Sequence, residues 1–283
     1  MRGPKIFSMK IRAGYKISYD CPQPTPMILM LSVHPSRIPD LLTPDHMRLD
    51  PLIPANTYHD GFGNFCHVIR APEGRLTMST DFLVQDKGEP DAIAPQAEQH
   101  ALEDLPVEVL IYLLGSRYCE TDRLSNTAWS LFGKVPRGWP LVKAICDYVH
   151  DHITFGYKHA SPTKTAWDAY AERRGVCRDF AHLAVTLCRC MNVPARYCTG
   201  YLGDIGVPLE DSQMDFSAWF EAYLGGRWYT FDARHNEPRI GRILMARGRD
   251  ATDVAIVTSF GPCMLAGFNV ITDELTSVAP AST

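Results

Sequence analysis

Between residues 85 and 104 the apolar spacing of this 283-residue chain changes its period, and that change constrains the fold more than any other feature. Before it, β-rich runs at residues 10–19, 27–34, 64–69 and 75–84 are divided by the turn residues Asp60-Gly61, Gly63-Asn64 and Pro72-Glu73-Gly74. Strand-like runs cut this way predict a small β-sandwich or barrel over residues 1–84. Residues 85–104 are polar, Pro-containing and aperiodic, as expected of a linker. From residue 105 to 283 a second domain is expected, because there the spacing turns helical.

Residues 105–114 read as a helix ending at Gly115, and residues 125–132 as one capped by Ser125 and stopped at Gly133. Over residues 139–153, Leu141, Ile145, Val149 and Ile153 make one apolar stripe. Thr163 can cap a short helix at 166–173. The chain then turns at Gly175 and enters a helix from about Cys177 to Met191, which stops before Pro194. Beyond Pro194 the chain is strand-like at 195–202, 218–224 and 228–233, and Gly225-Gly226 between the last two is a two-residue hairpin signal. The expected class is α+β, with the helix that bears Cys177 packed on an antiparallel sheet.

Hydrophobic residues at 46% and charged residues at 21% suit a folded globular chain, and a formal charge of −4 leaves no basic footprint for nucleic acid. The longest strongly apolar run, residues 27–33, is far shorter than the roughly 18 residues of a spanning helix, so no membrane partner is expected. The first twelve residues mix charge with apolar side chains instead of following it with an apolar block, which reads as cytoplasmic. Nine irregularly spaced cysteines, mostly in apolar runs, agree: they read as buried reduced thiols and not as a disulfide framework.

One of those thiols is placed for chemistry. A helix N-terminus offers unpaired N–H groups and the positive end of the dipole, which can lower the pKa of Cys177 and later face an oxyanion. Arg178 beside it can add positive charge and hold substrate. The surrounding segments are Arg174-Gly-Val-Cys-Arg-Asp-Phe-Ala-His-Leu183, Val193-Pro-Ala-Arg-Tyr-Cys-Thr-Gly-Tyr201, Ala218-Trp-Phe-Glu-Ala-Tyr223 and Arg227-Trp-Tyr-Thr-Phe-Asp232. In order and spacing they resemble the bacterial transglutaminase-like superfamily, over residues 166–234. The resemblance implies a papain-like α+β core, a β-rich domain of the kind that often precedes it, and Cys177 and Asp232 as first and third members of a Cys-His-Asp triad. It also implies a cysteine protease or amidase, or an acyl transferase, acting on a peptide or protein amide without a cofactor.

The family pattern places His immediately before the Ala-Trp pair, where this chain has Ser217. The hairpin register supports that alignment: with Gly225-Gly226 as the turn, Trp219 faces Asp232, and Ser217 is its same-face diagonal neighbour. A serine hydroxyl cannot act as the general base. Three readings stay open. His235, three residues after Asp232, can serve if the chain bends after the strand; Ser217 can mark a lost activity; or the helix end, Arg178 and water act alone. His182 lies about 140° round the helix from Cys177, so a structural role suits it better.

Other residues favour plain roles. Cys188 and Cys190 point about 200° apart on a helix, so no metal site is expected from them with Cys198 and His182. Of the hairpin aromatics only Trp219, on the Asp232 face, is a candidate for substrate binding. Asp179 and Glu221 read as structural charges, His150 and His152 do not converge, and residues 241–249 lack phosphate-loop spacing. The expected function is hydrolysis of amide or peptide bonds through a Cys177 thioester. The alternative is a catalytically impaired binding or scaffold protein that keeps the fold. The acyl acceptor and the oligomeric state are open.

Overall fold

The computed structural model describes residues 9–208 and 215–275. The amino-terminal strands are β1 (Met9–Cys21), β2 (Thr25–Leu29), β3 (Arg48–Asp50), β4 (Ala55–His59), β5 (Phe65–Ala71) and β6 (Gly74–Asp86). In β1 the side chains of Ile11, Ala13, Tyr15 and Ile17 go inward, and in β6 those of Leu76 and Met78 do so. That period of two makes the strands pair with one face buried. β1 lies antiparallel between β6 and β14 (Met264–Glu274), the last strand among the described residues. A second sheet has the order β13-β2-β5-β4, with β13 at Val257–Ser259. The two sheets share one hydrophobic core. β13 and β14, drawn from the segment expected within the second domain, therefore pair with amino-terminal strands.

The segment expected as a linker is irregular but tied down. Gln99 Nε2 donates to the carbonyls of Met191 and Asn192, and the Gly225 N–H donates to the Glu98 carbonyl. The expected helix at 105–114 winds as a 3-10 turn, Val107–Leu113, behind Pro106. Helix α1 (Thr121–Phe132) starts a turn before Ser125, and α2 (Trp139–His152) buries Leu141, Ile145 and Val149 as its stripe requires. The short strand β7 (Thr154–Phe155), α3 (Ala166–Glu172) and β8 (Arg174–Gly175) come next, with Thr165, not Thr163, capping α3. Helix α4 (Cys177–Cys190) is buried on almost every side, because α1, α2 and α3 cover it on one side and a sheet on the other.

That sheet has the order β11-β10-β9-β12, with β9 at Ala195–Tyr201, β10 at Ser217–Leu224, β11 at Arg227–Phe231 and β12 at Ile243–Gly248. The hairpin turns on Gly225 and Gly226, both at positive φ, and its register runs from Leu224↔Arg227 to Phe220↔Phe231. Phe220, Ala222 and Leu224 face α4. Tyr201, Phe216, Ile243 and Met245 reach into the core of the amino-terminal sheets, so the two halves of the molecule share apolar contacts. Among the described residues no helix is long and apolar enough to cross a membrane.

Candidate active site

Cys177 opens α4 for a local reason. Val176 precedes it in extended conformation at the N-cap, and its N–H donates to Asp179 Oδ2 at 2.9 Å, the reach-back half of a capping box. A Cβ on Gly175 would lie 2.5 Å from that same oxygen, so the glycine is what lets the chain turn this tightly into the helix. Asp179 is thus the structural charge that its position suggests, and it is fully buried.

The Cys177 side chain is half-buried and packs with Ala181, Tyr197 and Ala218. Burial, and after it the Asp215 carboxylate, push the thiol up to about 11; Arg234 and the Ala218 N–H pull the other way and are outweighed. Burial beside the strands and a nearby carboxylate thus work against the lowering expected from the helix end. Burial lifts the Asp215 carboxyl as well, against the Phe216 N–H, which donates to it at 2.6 Å, and against Arg234. A thiol held protonated needs a base.

Asp232 comes directly after β11 and is buried. Burial alone would raise its carboxyl, but Arg242 and His235 hold it well below the usual carboxylate range. Arg242 Nη2 donates to Asp232 Oδ2 at 2.9 Å while its Nε donates to Asp91 Oδ2 at 2.8 Å. After Phe231 the chain bends: the N–H groups of Arg234 and His235 donate to Asp232 Oδ1, and that of Asn236, at positive φ, donates to the Asp232 carbonyl. The bend swings the His235 ring back, so that Nδ1 lies 2.8 Å from Asp232 Oδ2. An ionised carboxylate only accepts, so Nδ1 carries a proton and, in the neutral tautomer, Nε2 has the lone pair.

Ser217 begins β10 opposite Gly200, and its hydroxyl is buried without a hydrogen-bond partner among the described residues. Trp219 is buried with Cys198 and Leu244, beneath the Arg242 guanidinium at 5.0 Å from the ring centroid. Arg178 is engaged by its own surroundings: it donates to the Ser161 carbonyl, pairs with Asp179 at 3.7 Å and lies over the Tyr118 ring. His182 is fully buried, stacked on Tyr118, and accepts the Ala251 N–H on Nε2 at 3.1 Å. Burial pushes that imidazole down to about 3, the state of a neutral packing histidine. Glu221 pairs with Arg196 at 2.5 Å.

Sequence reasoning missed Arg242, Asp91, Asp215 and Arg234. None carries a local signal: Arg242 and Asp91 are 151 residues apart, and only the fold brings them to one carboxylate. A cleft of about 490 Å³ opens on the Trp219 side of the sheet, lined among others by Trp219, Glu221, Thr230, Arg242 and Arg247. A smaller cavity of about 110 Å³ beside Asp232 is lined by Trp139, Cys146 and Asn236. Neither is lined by Cys177.

A cysteine-bearing helix packed on an antiparallel sheet, with a histidine–aspartate pair in the turn after β11, makes an α+β core whose family comparison with known proteins shows. The transglutaminase-like superfamily core pattern matches residues 133–233. A solved structure of a candidate cysteine protease from Cytophaga hutchinsonii is 30% identical, with a TM-score of 0.82 over 95% of this chain and 92% of that one. An uncharacterised protein of Mycobacterium leprae is 39% identical over 94 residues, which span 31% of this chain and 32% of that protein. One from Mycobacterium tuberculosis is 29% identical over 235 residues, 74% of this chain and 73% of that protein. The chain belongs to the transglutaminase-like superfamily.

Proposed function

We propose that this protein is a cysteine hydrolase of amide or peptide bonds in which His235, held by Asp232, replaces the histidine that the family has at position 217. The observation that carries the reading is the 2.8 Å contact between His235 Nδ1 and Asp232 Oδ2, which leaves Nε2 as a proton acceptor. His235 takes the Cys177 proton as the sulfur attacks the acyl carbon, and gives it to the departing amine. The N–H groups at the start of α4 face the oxygen that becomes negative. Water, deprotonated by the same imidazole, then releases the acyl group from the thioester. A thiol pushed up to about 11 fits this order of events, since proton removal and attack are then coupled instead of resting on a standing thiolate.

Asp232 orients the imidazole, Arg242 holds Asp232 ionised, and Trp219 walls the cleft in which a peptide or protein substrate would lie. No cofactor enters these steps, and a reducing, cytoplasmic setting would keep Cys177 usable. The Ser217 hydroxyl, buried and unpaired, favours a second reading, in which the fold is kept as a binding or scaffold module after loss of the base. Reaction with a p-nitrophenyl acyl ester separates the two. Burst release of p-nitrophenol, with acyl mass appearing on Cys177 and lost in Cys177→Ser, is the expected result. No acyl adduct on Cys177, with release equal in wild type and Cys177→Ser, supports the scaffold reading.

A further inference from the structure

A pair of thiols lies in a different cluster from Cys177, where β1 runs beside β14. Cys21 is the last residue of β1, and Cys263 directly precedes β14. Across these antiparallel strands Tyr19 pairs with Leu265 and Asp20 with Met264, so the next rung of the ladder sets Cys21 opposite Cys263. The two sulfurs are 2.7 Å apart, although 242 residues separate them in the sequence. Directly opposite residues of an antiparallel pair have Cα atoms about 4.5–5.5 Å apart, inside the range a disulfide spans. Cys21 is buried at 2% exposure, whereas Cys263 is partly exposed. Both belong to the amino-terminal core, and Cys177 belongs to a separate cluster beneath α4.

We infer that Cys21 and Cys263 form a reversible disulfide, a modification site that takes a small-molecule disulfide as its oxidant and ties β1 to β14. The accessible Cys263 attacks first. Its sulfur, losing its proton to water, bonds to one sulfur of the small disulfide and expels the other as a thiolate, which takes up a proton. The Cys21 sulfur then attacks Cys263 in that mixed disulfide, bonding to it and expelling the second small thiol. Two protein S–H bonds and one small-molecule S–S bond are lost; one protein S–S bond and two small-molecule thiols are formed. Burial and the facing sulfur push the Cys21 thiol up, which suits it to the resolving role and not to first attack.

Bridging residues so far apart closes almost the whole chain in one loop and restricts the unfolded state strongly. The pair was not legible in the sequence, because nothing local relates positions 21 and 263.

The test uses the full chain, reduced and then incubated with glutathione disulfide, blocked with an alkylating agent and mapped by peptide mass. The expected result is one intramolecular link joining the Cys21 and Cys263 peptides, reversed by dithiothreitol. The unfolding midpoint is expected to rise by roughly 5 °C or more on oxidation. Cys263→Ser, at a partly exposed position, should fold, lose the link and show no rise. The inference is overturned if both thiols stay fully alkylatable after oxidation, if glutathione remains as a stable adduct on Cys263, or if the link formed joins other cysteines.

Discussion

His235 Nδ1 lies 2.8 Å from Asp232 Oδ2, within a turn whose backbone N–H groups bind the same carboxylate. Strict alternation along β11 would have sent residue 235 away from residue 232. The turn instead makes Asp232 both its hydrogen-bonding centre and the partner of the imidazole, so the local fold and the histidine–aspartate pair are one structure. Arg242 completes it, being buried and bonded to Asp91 and Asp232 together.

That arrangement sets a cost for removing Arg242. Arg242→Ala leaves two carboxylates that have lost their cation, one of them deeply buried. The expected loss is about 3–5 kcal/mol of unfolding free energy, read by denaturant titration. Asp232→Asn in the Arg242→Ala background should recover part of it, because the buried negative charge is then gone.

The thiol is tuned by a carboxylate outside the histidine–aspartate pair. With Asp215 raising Cys177 second only to burial, Asp215→Asn should increase Cys177 alkylation by iodoacetamide at pH 8 several-fold, monitored by peptide mass. In the wild type the rate should keep rising with pH toward an inflection near 11. A plateau below pH 8 would show a thiolate already formed.

Much of the fold is legible in the sequence because it rests on short-range patterns. The period-two runs became β1, β5 and β6, the Leu141, Ile145 and Val149 stripe became the buried face of α2, and Gly225-Gly226 fixed the hairpin register. The cysteine at a helix start was legible for the same reason, since Gly175 and the Asp179 cap lie within four residues of it. What stayed hidden depends on distance. β13 and β14 join amino-terminal strands, Arg242 meets Asp91, and the carboxylate that raises the thiol comes from residue 215. The upward push on the thiol stayed hidden for the same reason, because burial and a remote charge oppose the helix end that the sequence displays.

Three buried imidazoles, His182, His34 and His67, are pushed down by burial and contribute a pH dependence of one sign. His182 is pushed down to about 3 by burial, with Arg178 and Arg189 lowering it and Asp250 raising it; His34 is pushed down to about 4 by burial, then Arg247 and Arg196. Both titrate below the unfolded value of 6.5, so between pH 6.5 and 4 the unfolded chain binds protons that the folded chain does not. The stability these imidazoles contribute is therefore expected to be full above pH 6.5 and to fall as pH drops, by about 1.4 kcal/mol per pH unit for each proton fully taken up on unfolding, with the raised carboxyls of Asp45, Asp179 and Asp215 offsetting part of it. Urea midpoints at pH 7, 6 and 5 measure it. His182→Gln should flatten part of the fall, and equal midpoints at all three pH values would contradict the linkage.

The most direct measurement compares His235→Asn and Ser217→Ala with the wild type in Cys177-dependent hydrolysis of a p-nitrophenyl acyl ester. With His235 as the base, His235→Asn lowers the rate about 10² to 10⁴-fold while Ser217→Ala leaves it unchanged. Retention of the full rate in His235→Asn, or its loss in Ser217→Ala, would contradict the assignment of the base to His235.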